Sequence, residues 1–395
     1  MSGQLARCLS TILLISLWCI SHSSTTFANN KVHSNDKKRT TNSTPTSSLI
    51  ANIKKDLHWD FQLRVFAGYR ATFRETQSFN EFDLHELQTQ LAFHWKKRLG
   101  VSTRFEVLRS AQPQSLFGID GDAYIIRLQR AWGYGNIELG PTRWELRFGL
   151  IRDPWLDLME QGYDIRDVSR LLSQGGNFFA PSDLGVSFIG MLWDGFVEIR
   201  ATWTNGEGTN RSEQNPGKNM TLTLSLRPLR MQLLGEPAEL AIHGVYRDGS
   251  QGTSYAKSHR LGGGLTFRTP HYNAGVEFVS ADGWQNDGSL KSNGLGVWLS
   301  AILYAPWLGL TARLDRLNSN TEVEGATIQR LSVGLFSNLL PGSLWKAGYR
   351  FRLYALYQNE SAGKNAGPFP GFPQASQAHR IVAICSIYFG LQDNK

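Results

Sequence analysis

Arginine is the residue type around which any chemistry of this chain has to be built. Arg64, Arg104, Arg127, Arg147, Arg200, Arg227, Arg260, Arg313, Arg350 and Arg352 fall at alternate positions in segments whose other face is apolar. Arg247, Arg268, Arg330, Lys346 and Arg380 share that phase, against Asp60, Glu86, Glu106, Glu145, Glu198, Glu239, Glu277 and Asp315. A guanidinium stays charged at any cellular pH, so this face does electrostatics rather than proton transfer. Lining a water-filled pore, an excess of fixed cations lowers the barrier for anions and raises it for cations. Cross-strand ion pairing that braces the wall is the plainer use of the same charges.

A second charged group lies in the segment between Arg152 and Ser182, too long for a turn. It carries Asp157, Glu160, Asp164, Arg166, Asp167 and Arg170, and its residues 165–172 suggest a short helix. Folded into a pore, such a loop forms the constriction; folded outward, it covers the mouth. Other chemistries lack their residues. The nine histidines never stand two to five residues apart, so no zinc spacing exists. There is no Gly-x-Ser-x-Gly elbow. Gly262-Gly263-Gly264 has no Lys and helix behind it and reads as bending or tight packing rather than a phosphate loop. Asp120-Gly121-Asp122 and the acids from Asp282 to Asp287 are turn formers first and cation ligands second. No catalytic residue, metal site or cofactor is expected.

The elements that position these charges alternate at period two. Trp59, Phe61, Leu63, Val65, Ala67 and Tyr69 oppose Asp60, Gln62, Arg64 and Arg70; Leu99, Val101, Phe105 and Val107 oppose Ser102, Arg104 and Glu106. Met220, Leu222, Leu224 and Leu226 oppose Thr221, Thr223, Ser225 and Arg227, and Phe351, Leu353, Ala355 and Tyr357 oppose Arg350, Arg352 and Tyr354. Such segments number about sixteen. Tight turns at Lys97-Arg98, Gly140-Pro141 and Asp194-Gly195 alternate with long polar connections, at 206–219, 248–257, 282–292 and 360–377. Trp59, Tyr69, Trp95, Trp132, Tyr134, Trp345 and Tyr357 stand at segment ends, as membrane-interface girdles do. An apolar strand face turned to lipid demands closure, because lipid satisfies no backbone group.

The N-terminus fits export. Arg7, the apolar run Leu9 to Ile20 and the small residues ending at Ala28 form a signal-peptide pattern. Residues 29–56 are a polar, basic leader, residues 57–391 the barrel, and residues 392–395 a tail. The formal charge is +8, but seven basic and two acidic residues precede Leu57, which leaves +3 for the barrel. That dispersed charge argues against nucleic acid as a partner. Cys385 alone follows the signal segment, so no disulfide staples the fold.

One stretch resembles the phosphate-selective porins of Gram-negative outer membranes. It carries Arg130-Ala131-Trp132, then Gly149 to Pro154-Trp155, then Pro181-Ser182-Asp183-Leu184-Gly185-Val186, then Thr204-Asn205-Gly206, within residues 122–206. The resemblance implies an outer-membrane pore for small hydrophilic solutes, anions and phosphate among them, and a homotrimer set in lipid. The last strand departs from the usual barrel ending, since Gly390 to Lys395 follow its aromatic Phe389. The expectation is therefore an all-β, transmembrane antiparallel β-barrel of about sixteen strands, with an inward-folded loop and long loops on one rim. A plugged barrel, an outer-membrane hydrolase and a soluble secreted β-protein are the alternatives.

Overall fold

The computed structural model describes residues 56–74, 78–96, 98–110, 123–208, 215–233, 235–252, 256–285, 287–304, 308–340, 349–366 and 377–392. The signal segment, nearly all of the leader, the Asp120–Asp122 cluster, Trp345, Lys346 and the last three residues lie outside them.

Sixteen antiparallel strands close into one barrel among the described residues. They are β1 Leu57–Arg74, β2 Ser78–Trp95, β3 Leu99–Ser110, β4 Ala123–Leu139, β5 Thr142–Arg152, β6 Ser182–Leu192, β7 Val197–Thr204 and β8 Asn219–Leu233. The second half is β9 Glu236–Asp248, β10 His259–Arg268, β11 Tyr272–Trp284, β12 Asp287–Tyr304, β13 Leu308–Asn318, β14 Thr327–Asn338, β15 Arg350–Ala362 and β16 Gln377–Gln392. Each pairs with its chain neighbour, and β1 closes on β16 from Asp60↔Gln392 to Arg74↔Ala378. Closure leaves no strand edge to solvate, which is what lets a sheet cross lipid.

The two faces follow the alternation. On β8, Met220, Leu222 and Leu224 are exposed outward while Thr221, Thr223, Ser225 and Arg227 are buried inward. Large apolar side chains cover the outside of the other strands too, Phe82 at 73% and Ile126 at 75% exposure among them. In water such a surface would aggregate; in a bilayer it is the solvated face. Trp95, Trp193, Phe196 and Tyr304 ring one rim, and Phe82, Tyr124, Trp203 and Tyr246 the other.

Two girdle assignments are corrected. Trp132 stands opposite Ser102 and Tyr134 opposite Gly100, on the inward face, and the Tyr134 hydroxyl is 2.5 Å from His94 Nδ1. The cause is a bulge: the β3 register shifts between Arg104 and Phe105, and Gln129 and Arg130 are both buried. One extra residue inverts the phase of all that follows it. The expected long connection at 282–292 is also corrected. The ladder of β11 and β12 runs to Trp284↔Asp287, because strands continue their hydrogen bonds above the lipid where the apolar alternation ends. Long connections do sit on one rim, after β5, β7 and β9, facing tight turns after β4, β6 and β10.

Candidate functional site

The connection after β5 enters the barrel. Asp153 Oδ1 accepts the backbone N–H groups of Trp155 at 3.0 Å and Leu156 at 3.3 Å, and Pro154 opens helix α1, Pro154–Met159. An Asp cap with Pro at the first helical position is a strong start signal, since it satisfies orphan N–H groups and presets φ. A 3₁₀ turn, Glu160–Gly162, follows, and then the short helix α2, Leu172–Gly175. The helix expected over 165–172 is therefore corrected. Ile165 to Arg170 form turns, with Ile165 O accepting from the N–H groups of Val168 and Ser169. Asp164, which could cap such a helix, is turned to Arg352 and Arg350 instead, and Ile165, Leu171 and Leu172 are drawn into an apolar core.

That core lies inside the barrel. Trp155, Leu156, Met159, Ile165, Phe178 and Phe179 of the loop pack on Val245, Val279, Trp284, Trp298 and Leu317 of the wall. Full burial of each large side chain contributes about 1.5–3 kcal/mol before chain entropy is counted. Glycines on the wall make the approach close: a Cβ on Gly264 would meet Met159 Cε at 2.6 Å, and one on Gly296 would meet Leu172 Cβ at 3.2 Å. Wall side chains also satisfy loop carbonyls. Arg260 Nε donates to Phe178 O at 2.9 Å, Trp284 Nε1 to Gly176 O at 3.1 Å, and Trp298 Nε1 to Gly162 O at 3.3 Å. Glu277 Oε1 accepts from the N–H groups of Leu172 and Ser173.

The loop's charged residues face the remaining wall. Asp157 takes Arg200 Nη1 at 2.5 Å and Arg147 Nη1 at 3.4 Å, with Arg152 at 3.8 Å. Burial opposes ionisation of Asp157, yet Arg200, Arg147 and Arg152 outweigh it and hold the carboxyl well below the usual range. Burial likewise opposes ionisation of Glu160, and Arg152 and Arg166 overcome it, so its carboxyl is also lowered. Arg166 bridges Glu160 at 2.8 Å and Glu86 at 3.5 Å. Asp164 binds Arg352 at 3.0 Å with Arg350 at 3.6 Å. Asp167 accepts from Ser386 Oγ at 2.6 Å and Tyr354 Oη at 3.1 Å, and burial, with Asp164 nearby, raises its carboxyl despite Arg352. Arg170 is exposed.

The ten arginines singled out from the sequence divide into two groups. Arg64, Arg350 and Arg352 border a cavity of about 1040 Å³ on the tight-turn side of the loop. The other seven are packed into the wall. Arg127 pairs with Glu106, Arg147 with Glu145 at 2.5 Å, Arg200 and Arg227 with Glu198 at 2.7 and 2.8 Å, and Arg313 with Asp315 at 2.8 Å. Arg104 donates to Gln90, and Arg260 to backbone carbonyls. The cavity gains Arg166, Arg230 and Arg268, and the acids Glu160, Asp164, Asp167 and Glu239. Arg268 was placed on the inward phase by the sequence, whereas Arg230 and Tyr388 are cavity residues that sequence reasoning missed. Tyr388 alternates inward, but Arg230 shares the outward phase of Met220, Leu222 and Leu224 and is turned inward only by the register shift between Leu226 and Leu229. The loop aromatics were also missed, although four large apolar side chains at Trp155, Leu156, Phe178 and Phe179 within a charged connection signal a core of its own.

No protein-family model matches the chain, and no curated protein matches it. Solved structures do. The anion-selective porin from Comamonas acidovorans superposes with a TM-score of 0.56 at 9% identity, over 85% of this chain and 100% of that one. The outer membrane channel DcaP of Acinetobacter baumannii gives 0.55 at 9% identity, over 85% and 98%. OmpT of Vibrio cholerae, in its trimer form, gives 0.53 at 11%, over 84% and 99%. At such identities the likeness is one of architecture, and this chain has the fold of Gram-negative outer-membrane porins.

Proposed function

We propose that the protein is an outer-membrane porin through which small hydrophilic solutes diffuse passively, with a preference for anions. The observation that carries this reading is the inward loop and the cavity beside it, where six arginines stand against four acids. A charge excess inside a low-dielectric wall raises the local concentration of counter-ions. The loop narrows the path through Glu160, Asp164, Arg166 and Asp167, and Arg64, Arg350 and Arg352 line it. Asp157 fastens the loop to the wall and Arg170 stays at its exposed edge. The solutes are small anions, phosphate among them. Export follows cleavage after Ala28, and residues 29–56 form a leader before the barrel. The anion selectivity of the Comamonas acidovorans porin agrees with the charge excess, and the trimer form of the Vibrio cholerae protein suggests the same assembly here.

The dry core around Trp155, Phe178 and Phe179 favours a second reading, a plugged barrel. Planar-bilayer recording separates the two. A porin gives stable steps and, in a potassium chloride gradient, a reversal potential on the chloride side. Absence of steps supports the plug, and a potential on the potassium side refutes anion preference.

A further inference from the structure

One inward row at the closing seam carries charge that the ion network leaves open. Arg64 of β1 and Arg350 of β15 are both register partners of Tyr388 on β16. Neighbouring strands lie about 4.8 Å apart, so the two Cα atoms flank the tyrosine at a separation of about 10 Å. All three residues border the cavity. The Arg64 guanidinium lies 5.1 Å from the centroid of the Tyr388 ring and, among the described residues, has no carboxylate within 4.0 Å. Arg350 has a side chain 52% exposed, and its nearest carboxylate, Asp164, stands off at 3.6 Å, beyond hydrogen-bond reach. Arg352 and Arg166 differ, being hydrogen-bonded to Asp164 at 3.0 Å and Glu160 at 2.8 Å. Arg230 and Arg268 also border the cavity, but they donate to the backbone carbonyls of Asp194 and Gly195 and of Gln161. Cavity charge held by no hydrogen bond therefore concentrates, among the described residues, at Arg64 and Arg350. Apolar surface adjoins it, since Phe66 and Ile302 border the same cavity.

We propose that Arg64, Tyr388 and Arg350 form a binding station for small organic carboxylates with a flat apolar body. The two guanidiniums hold the carboxylate by charge-assisted hydrogen bonds, and the body lies against Tyr388 and Phe66. Chloride and phosphate find the charge but gain nothing from the apolar surface. This deepens the porin reading by naming a substrate class, and it rests on that reading for delivery of the solute.

Sodium benzoate is the probe, with sodium acetate and inorganic phosphate as comparators. Calorimetric titration of the full chain folded in detergent reads binding without conduction, and bilayer recording reads block of the chloride current. Wild type binds benzoate more tightly than acetate or phosphate, and benzoate blocks saturably. The double variant Arg64→Gln with Arg350→Gln weakens benzoate about tenfold or more. Tyr388→Leu weakens benzoate and leaves acetate unchanged. Arg350→Gln alone, at a half-exposed side chain, keeps the fold and weakens binding several-fold. No benzoate binding to wild type, equal binding of phosphate, or full retention in the arginine variants overturns the station. Benzoate binding that depends on these residues in a barrel that passes no current upholds the station and refutes the porin reading.

Discussion

Glu277 Oε1 accepts the backbone N–H of Leu172 at 2.5 Å, although 105 positions separate the two residues in sequence. The contact joins the middle of β11 to the start of α2, and the same oxygen takes the Ser173 N–H at 3.3 Å. Removing the acceptor leaves two buried donors unpaired, at a cost of about 1–3 kcal/mol. Glu277→Ala therefore loosens the loop: current steps become noisier and larger, and the thermal midpoint falls. Glu277→Gln keeps an acceptor oxygen and shows a smaller change in both measurements.

Asp157 is the corresponding tie to the β5 and β7 wall, where Arg200, Arg147 and Arg152 converge. Asp157→Asn removes one negative charge, so that Glu145, Glu198 and Glu160 remain as the partners of Arg147, Arg200 and Arg152 and the lumen becomes one charge more positive. The reversal potential in a potassium chloride gradient moves further to the anion side, and the barrel loses about 2 kcal/mol of stability in denaturant.

Acidification separates two classes of loop carboxylate. Asp157 and Glu160 have lowered folded pKa values, so their stabilisation is present above their ordinary values of 3.8 and 4.5 and is lost only as pH falls through the lower folded values. Asp167 is raised above 3.8, so it is the first of the three to take a proton as pH falls. Its ionised form is the one the fold disfavours, and protonation relieves that strain. As pH falls, anion preference therefore rises before the loop loosens. Asp167→Asn shows the higher preference already at pH 7 and a smaller further rise on acidification, as reversal potentials at neutral and acidic pH will report.

Gly296 tests the closeness of loop and wall. A Cβ there would stand 3.2 Å from both Leu172 Cβ and Glu277 Cγ, and 3.3 Å from Asp315 Oδ1. Gly296→Val destabilises by about 1–3 kcal/mol and displaces α2. Faster proteolysis within residues 172–178 and an altered conductance follow, with the barrel circular-dichroism spectrum unchanged.

The membrane wall could be read from the chain alone because its cause is local. A strand sends successive side chains to opposite faces, so Met220, Leu222 and Leu224 against Thr221, Thr223 and Ser225 declare lipid and lumen without any partner strand. The cap at Asp153-Pro154 is equally local, although the sequence reading set the loop's helix at residues 165–172 and passed over it. Phase after a bulge is not local: Gln129 looks like any strand residue, and only pairing with β3 turns Trp132 and Tyr134 inward. Nor could alternation separate Arg350, half exposed beside a cavity, from Arg313, sealed against Asp315, since both are inward arginines of the same phase. That difference depends on which wall the loop covers. Its apolar core settles on β9 to β14, and Arg64 and Arg350 border the open cavity at the β1–β16 seam beyond it. Away from the bulges, sequence by itself determined which side chains enter the barrel; pairing set the phase beyond each bulge, and closure and the inward loop decided which inward side chains meet water, because exposure is set by packing between segments far apart in the chain.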